Sequence, residues 1–430
     1  MELLAPAGSS EKLRYAYTYG ADAAYIGLPS FSLRANAENI DDKLPESPQT
    51  ISALKGERKL YCALNIYFHD VDLGALNARL DRIAEYPFDA FIVSDIGVLP
   101  TLKKRFPDAE LHLSTQANCT NREAARMYHD MGFSRIVPAR ELSLEEIARI
   151  KDTVPELELE VFVHGAICLA YSGRCLISKW VADRSANRGD CAHSCRWNYR
   201  LALEEEQRPG EYLPVETGET AAGAFTTLLS SKDICMIDDL AALREAGVDS
   251  LKIEGRIKSL YYVAVITRAY RYALDHPGDP NPFREDLFAV SHREFSTGFY
   301  FGRDDIERPT TESYEQTHLF LGSLEEPPRE IHPPRPEDTS SNSPYNHRGW
   351  SKPIYVNVRN TISNDREIEL ISPALPAVVF HPGDFHLFSL EGNPQRQLVN
   401  QSSGFIRLRA DRLAGGAPCP GWLLRRRRDL

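Results

Sequence analysis

The sequence predicts an α/β fold, a TIM-like (β/α)8 barrel followed by a small all-β C-terminal domain, over its 430 residues. Three observations carry that expectation. Short apolar strands alternate with helical stretches over roughly the first 270 residues. Several of those helices end in a glycine just before the next strand. After about residue 280 the helical periodicity stops and short β-like runs replace it.

The strands come in order at Glu2–Ala5, Ala23–Gly27, Leu60–Asn65, Ala90–Ser94, Glu110–Ser114, Arg135–Pro138, Leu157–Val163 and Ser250–Ile253. Eight such units suit a barrel. A doubly wound open sheet is the alternative, but no Gly-x-Gly-x-x-Gly follows the first strand. Between strands, apolar residues fall at helical spacing, as in Leu13, Ala16 and Tyr17, or Leu144, Ile147 and Ala148. Gly20, Gly132 and Gly247 sit where a left-handed residue ends a helix. A barrel places functional residues at the carboxyl ends of its strands. Asn65, Asp95, Gln116, Arg140, Glu141, His164, Glu254 and Arg256 occupy those positions, although any barrel has polar strand ends facing water.

The barrel is expected over residues 1–280, with a cysteine-rich connection at 165–235. That connection is long for a compact domain, which points to function or disorder. Its stretch from Glu204 to Ala224 is polar and Gly-rich. β-like runs at Gly298–Phe301, Lys352–Val358, Glu367–Ile371 and Phe405–Leu408 indicate a small β-barrel-like domain over 281–323 and 352–430. A Pro-rich segment at 324–351 interrupts it and reads as a disordered or semi-rigid insert.

Hydrophobic residues make up 42% of the chain, enough for a sizeable core, and no apolar run is long enough to span a membrane. The start Met-Glu-Leu-Leu-Ala-Pro lacks the basic and apolar regions of a secretory signal, so a cytoplasmic protein is expected. The net charge of −11 argues against bulk binding to nucleic acid. The charge is uneven, however. Residues 339–430 hold 12 Arg and Lys against 7 Asp and Glu, and the run Arg425–Arg428 could contact phosphates or form a solvated tail. Tyr355, Phe385 and Phe388 in this region are more naturally core than a base-stacking surface.

Without an export signal the eight cysteines read as thiols or metal ligands rather than disulfides. Cys168, Cys175, Cys191, Cys195 and Cys235 form one constellation; Cys62, Cys119 and Cys419 stand apart. Only Cys191 and Cys195 have the tight spacing of a zinc pair. Iron–sulfur clusters accept wider spacing and take four thiolates. In a barrel, the first four follow strand seven at the top face. Cys235 is expected in the first turn of the next helix, which also starts there. A cluster site, inert buried thiols and redox-active thiols all remain open on spacing alone.

Several long stretches resemble peptidase family U32, the collagenase-like group. They are Glu160-Val-Phe-Val-His164-Gly-Ala-Ile-Cys168-Leu-Ala-Tyr-Ser-Gly-Arg174-Cys175, Gly189-Asp-Cys191-Ala-His-Ser-Cys195-Arg196-Trp197, Ser231-Lys-Asp-Ile-Cys235 and Leu251-Lys252-Ile-Glu254-Gly255-Arg256-Ile-Lys258. Met1–Gly8, Gly20–Gly27 and Ser114-Thr-Gln116-Ala-Asn118 are similar too. The members this chain most resembles, by length and C-terminal β domain, act in prephenate-dependent formation of 5-hydroxyuridine at the tRNA wobble position. Longer members hydroxylate a ribosomal RNA cytidine. Shorter ones support ubiquinone hydroxylation and carry four-cysteine [4Fe–4S] clusters. The resemblance therefore implies a [4Fe–4S] cluster on Cys168, Cys175, Cys191 and Cys235, with Cys195 spare, prephenate as co-substrate and tRNA as partner.

Arg174, Lys252, Arg256 and Lys258 are the candidates for binding a dicarboxylate such as prephenate, by guanidinium fork or ammonium point charge. Glu160, His164 and Glu254 are candidate general acids or bases, or else orient the arginines. Proteolysis is the competing activity implied by the family name. Neither a His-Glu-x-x-His motif nor a Gly-x-Ser-x-Gly elbow is present, which leaves a Cys–His pair such as Cys168 with His164. A non-enzymatic accessory protein for another hydroxylase is the third possibility.

Overall fold

Apolar strands of two to nine residues, spaced by capped helices, close into a barrel in the computed structural model. It describes residues 1–28, 30–33, 47–168, 170–197, 201–204, 209–210, 212–215, 231–302, 314–333, 349–413 and 416–428. The strands of the first unit are β1 (Glu2–Pro6), β2 (Ala23–Gly27), β3 (Lys59–Leu64), β4 (Ala90–Val93), β5 (Glu110–Leu113), β6 (Arg135–Ile136), β7 (Glu158–Ala166), β8 (Leu201–Glu204), β9 (Tyr212–Val215), β10 (Asp233–Cys235), β11 (Ser250–Ile253) and β12 (Phe295–Ser296). β1 to β7 pair in sequence, all parallel, and β11 pairs in parallel with both β7 and β1. These eight strands are the eight expected, and β11 closes the cylinder.

β7 is longer than its neighbours. Its first part pairs with β11, from Glu160 to His164. Its last residues, His164 to Ala166, take β10 antiparallel, and β10 carries β12. Cys235 therefore lies on a strand opposite His164. The expected helical turn begins later, at Leu240–Glu245. The β-branched Ile234 between two barrel-side neighbours, and the buried Asp233–Arg293 ion pair at 2.7 Å, favour strand pairing at this point. β8 and β9 form a separate hairpin. Most of the Gly-rich stretch Glu204–Ala224 lies outside the described residues.

Helix ends follow their capping chemistry. Ser9 caps Ser10–Thr18 through its hydroxyl, and Ser143 with Glu146 forms a capping box on Leu144–Thr153. Gly20, Gly132 and Gly247 have φ of +101°, +93° and +80°, the left-handed geometry that ends the preceding helices. Leu13, Ala16 and Tyr17 are buried, as their spacing predicts. Inside the barrel, Leu4, Ala23, Tyr25, Tyr61, Ala63, Ala90 and Ile92 form one apolar cluster. Among the described residues no helix is long and apolar enough to cross a membrane.

The chain divides into two compact units: Met1–Pro280 with His292–Glu315, and Asn281–Ser291 with Gln316–Leu430. The division therefore interleaves around residues 281–315, where the sequence placed a single boundary. The run at Gly298–Phe301 forms a turn, and the neighbouring strand is β12.

The second unit contains β13 (His318–Glu325), β14 (Ile354–Val358), β15 (Ile362–Ser363), β16 (Ile368–Ile371), β17 (Val378–Phe380), β18 (Phe385–Phe388), β19 (Pro394–Gln395), β20 (Gln397–Leu398), β21 (Ser403–Leu408) and β22 (Leu423–Arg427). Eight of them form an antiparallel sheet in the order β17, β16, β22, β13, β14, β21, β18, β19. β13 extends to Glu325, past the expected start of the insert, and residues 334–348 lie outside the described set. Tyr355, Phe385 and Phe388 are buried in the cores of this unit. The arginine run is no tail. Arg425–Arg427 form the end of β22, an interior strand of the sheet, and Arg428 follows it.

Candidate active site at the barrel mouth

The carboxyl ends of the strands surround one open cavity. Asn65 after β3, Gln116 after β5, Arg140 and Glu141 after β6, Cys168 after β7, and Glu254 and Arg256 after β11 all line it. The loop after β7 folds over its side. Ser172 N–H donates to Glu141 Oε1 at 2.9 Å, and Arg140 N–H donates to Ser172 Oγ at 3.2 Å. Gly173 makes this close approach possible. Its φ is +72°, and a Cβ there would lie 2.0 Å from the Gln116 carbonyl oxygen.

Arg140 is held on the wall. Its guanidinium stacks over the Phe162 ring at 3.9 Å, Nη1 donates to the Ala166 carbonyl at 2.8 Å and Nη2 to Glu254 Oε2 at 3.2 Å. Nε is buried and has no hydrogen-bond partner among the described residues. Arg256 is buried, with Nη2 donating to the Leu33 carbonyl. Lys252 Nζ lies over the Tyr25 ring at 4.5 Å and pairs with Glu160 Oε1 at 2.6 Å. With Arg196, four cationic side chains line one cavity.

Among the predicted residues, the lining includes Cys168, Cys175, Cys191, Lys252, Glu254 and Arg256, and omits Glu160, His164, Arg174, Lys258 and Cys235. Glu160 is fully enclosed between Lys252 and Arg135, whose Nη1 is 3.1 Å away. Burial alone would raise its pKa, but the two cations outweigh that and hold it below the ordinary range. This carboxylate is committed to an internal ion network and has no path to a substrate. His164 is also enclosed, among Tyr262, Tyr270 and Phe295, with Nδ1 3.4 Å from the Tyr270 hydroxyl. Burial pushes its imidazole down to about 3, so it stays neutral. Arg174 is exposed beside the cavity. Lys258 Nζ stands between the rings of Tyr262 and Tyr314, at 5.4 Å and 5.2 Å, and burial lowers its pKa against the opposing pull of Asp233.

Four thiols, Cys168, Cys175, Cys191 and Cys195, line the cavity, and all are free of disulfides. Burial raises the Cys195 pKa, Arg196 lowers it, and Cys168, Cys191 and Cys175 each raise it further, so the four share one electrostatic neighbourhood. Cys235 lies off the lining, with Sγ 3.9 Å from the Tyr270 hydroxyl. The donor chemistry, four soft thiols on one cavity wall, fits an iron–sulfur group. Among the described residues, no three His, Cys, Asp or Glu side chains are already gathered as a ligand set.

Arg140, Glu141, Arg196 and Cys195 are among the cavity-lining residues absent from the predicted site list. Arg140 stood among the strand-end residues, and its position after β6 was the available signal. Neither Ser172 nor Cys168 is hydrogen-bonded to a histidine among the described residues, so no nucleophile–base pair is formed.

The family model for peptidase family U32 matches residues 8–310. The chain belongs to peptidase family U32. This U32 protein is 36% identical to "tRNA hydroxylation protein P" of Escherichia coli, over 73% of its own length and 76% of that chain. It is 38% identical to "tRNA hydroxylation protein P1" of Bacillus subtilis, over 75% and 76% of the two chains. It is 30% identical to a "Collagenase" of Porphyromonas gingivalis, over 70% and 74%.

Proposed function

We propose that this U32 protein is an RNA-modifying hydroxylase that converts the wobble uridine of tRNA to 5-hydroxyuridine, with prephenate as co-substrate and a [4Fe–4S] cluster at the barrel mouth. The observation that carries the reading is the similarity over about three-quarters of both chains to tRNA hydroxylation proteins. The cavity agrees with it chemically. Arg140, Arg256 and Lys252 supply the cationic wall that a dicarboxylate needs. Glu254 and the Ala166 carbonyl hold the two terminal nitrogens of Arg140, so its orientation is set before a substrate arrives. Phe162 and Tyr171 give the same cavity an apolar side suited to a ring. Glu254 is the carboxylate placed to hold or accept a proton at the mouth.

Cys168, Cys175 and Cys191 would hold the cluster, with Cys235 as fourth thiolate by family resemblance and Cys195 by its place on the cavity wall. When bound, the cluster would supply redox and Lewis-acid chemistry at the mouth. Iron and sulfide analysis after anaerobic purification separates the two ligand sets: about four irons per chain should survive in one of Cys195→Ala and Cys235→Ala and fall in the other.

The test of the function is nucleoside analysis of tRNA from cells lacking the protein. Loss of 5-hydroxyuridine, restored by the wild type and not by Cys168→Ala, is expected. Unchanged 5-hydroxyuridine would sink the reading. The collagenase relative keeps proteolysis as the second reading, and release of peptides from denatured collagen by the cluster-free protein would favour it.

A further inference from the structure

The arginine run occupies two environments within the second unit. Arg425 is buried, with Nε 2.7 Å from Glu369 and Nη1 2.7 Å from Asp286. It is a structural cation. Beyond it, Arg426, Arg427 and Arg428 join Arg366 in lining a surface cleft with Glu367 and Glu369. The two carboxylates are engaged elsewhere. Glu369 pairs with Arg425 and with His318 at 3.3 Å, and Glu367 pairs with His381 at 2.6 Å. Arg427 and Arg428 are exposed, and among the described residues neither guanidinium has an ion-pair partner.

The position of these arginines matters as much as their charge. They stand at the end of a strand that β16 pairs as far as Arg425, and β13 continues the pairing through Arg426 and Arg427, with Arg428 N–H donating to the Thr317 carbonyl. Their backbone is therefore ordered before any partner arrives, and binding them costs less ordering entropy than a flexible tail would. A guanidinium fork matches phosphate oxygens in pairs. The chain as a whole carries −11, which repels a polyanion at long range. A protein of that charge needs a local cationic site to hold RNA, and residues 339–430 carry the excess of Arg and Lys.

We propose that this cleft docks the phosphate backbone of RNA through Arg366, Arg426, Arg427 and Arg428. The inference rests on the reading of the chain as acting on RNA, and assigns the second unit its share of substrate binding.

The test is binding of the full chain to deproteinised tRNA by fluorescence anisotropy across a salt series. The variant R427E/R428E is compared with R359E/R396E, which makes the same charge change at two exposed arginines off the cleft. The first should lose at least about tenfold in affinity and flatten the plot of log K against log salt by about two phosphate contacts. The second should lose no more than about threefold, the effect of net charge alone. R427Q/R428Q, which is gentler on the strand, should show the same flattening, and circular dichroism checks the fold of each. Equal losses in both charge-reversed variants, or unchanged binding in R427E/R428E and R427Q/R428Q, would overturn the cleft while leaving the RNA reading intact. A wild-type chain that binds no tRNA at any salt overturns both.

Discussion

Glu160 lies on β7 and Glu254 directly follows the neighbouring β11, yet one carboxylate is walled in and the other lines an open cavity. Glu160 closes a network with Lys252 and Arg135, and Arg135 also binds Glu2 and Glu158 at 2.6 Å each. Glu254 pairs with Arg140 and lines the cavity, where it meets whatever enters the mouth. The second unit repeats the contrast, with Arg425 enclosed and Arg427 exposed. A charge buried among partners holds structure together, because removing it strands the others. A charge facing a cavity is available for chemistry, and its loss is tolerated by the fold.

The largest effect should come from Glu160→Ala. It leaves Lys252 and Arg135 buried with an uncompensated charge, so urea unfolding should show a loss of about 3–5 kcal/mol. A loss under about 1 kcal/mol would break the comparison.

Next is the acid response of the second unit. Burial would raise the Glu369 carboxyl, but hydrogen bonds and charge from His318 and Arg425 bring it down to about 2, below its ordinary value. A depressed carboxylate stabilises the fold above its unfolded value of about 4.3 and loses that contribution as pH falls towards 2. Wild type should therefore lose on the order of 3 kcal/mol more than Glu369→Gln over that window, followed by denaturant unfolding at each pH. Parallel curves would show that the pair contributes no such linkage.

At the mouth the stability effects should be small and the functional ones large. Glu254→Gln should change unfolding by no more than about 1 kcal/mol. It should nevertheless reduce 5-hydroxyuridine formed in cells about 100-fold, the scale of a lost acid–base group. Arg140→Lys keeps the charge and removes the fork, so about tenfold lower product with near-native stability is expected. Full activity in both variants would move the reaction away from this cavity.

Much of the barrel was legible because its signals are local. Each strand is a short apolar run, and Gly20, Gly132 and Gly247 mark helix ends by a backbone need that no distant contact alters. Strand parity also carried information that the site list did not use. Glu160, Phe162 and His164 share one face of β7, and a charged residue in mid-strand on the barrel's inner face has to be paired. Cys235 was misread as helical because a three-residue strand has too little pattern to distinguish it from a helix start. The arginine run was misread as a possible tail because four consecutive charges carry no strand periodicity, and only pairing with β13 makes Arg425–Arg427 part of a strand.

By itself, then, the sequence determined the eight strands, their order, the family and the cysteines that gather at one end of the barrel. Tertiary structure alone decided which charges are structural and which are open. Glu160 meets Lys252 across 92 residues of sequence, and Arg135 meets Glu2 across 133. Those partners become neighbours only when β11 closes the barrel between β7 and β1, and burial, which sets the role of a charge, is a property of that closure rather than of any residue in the chain.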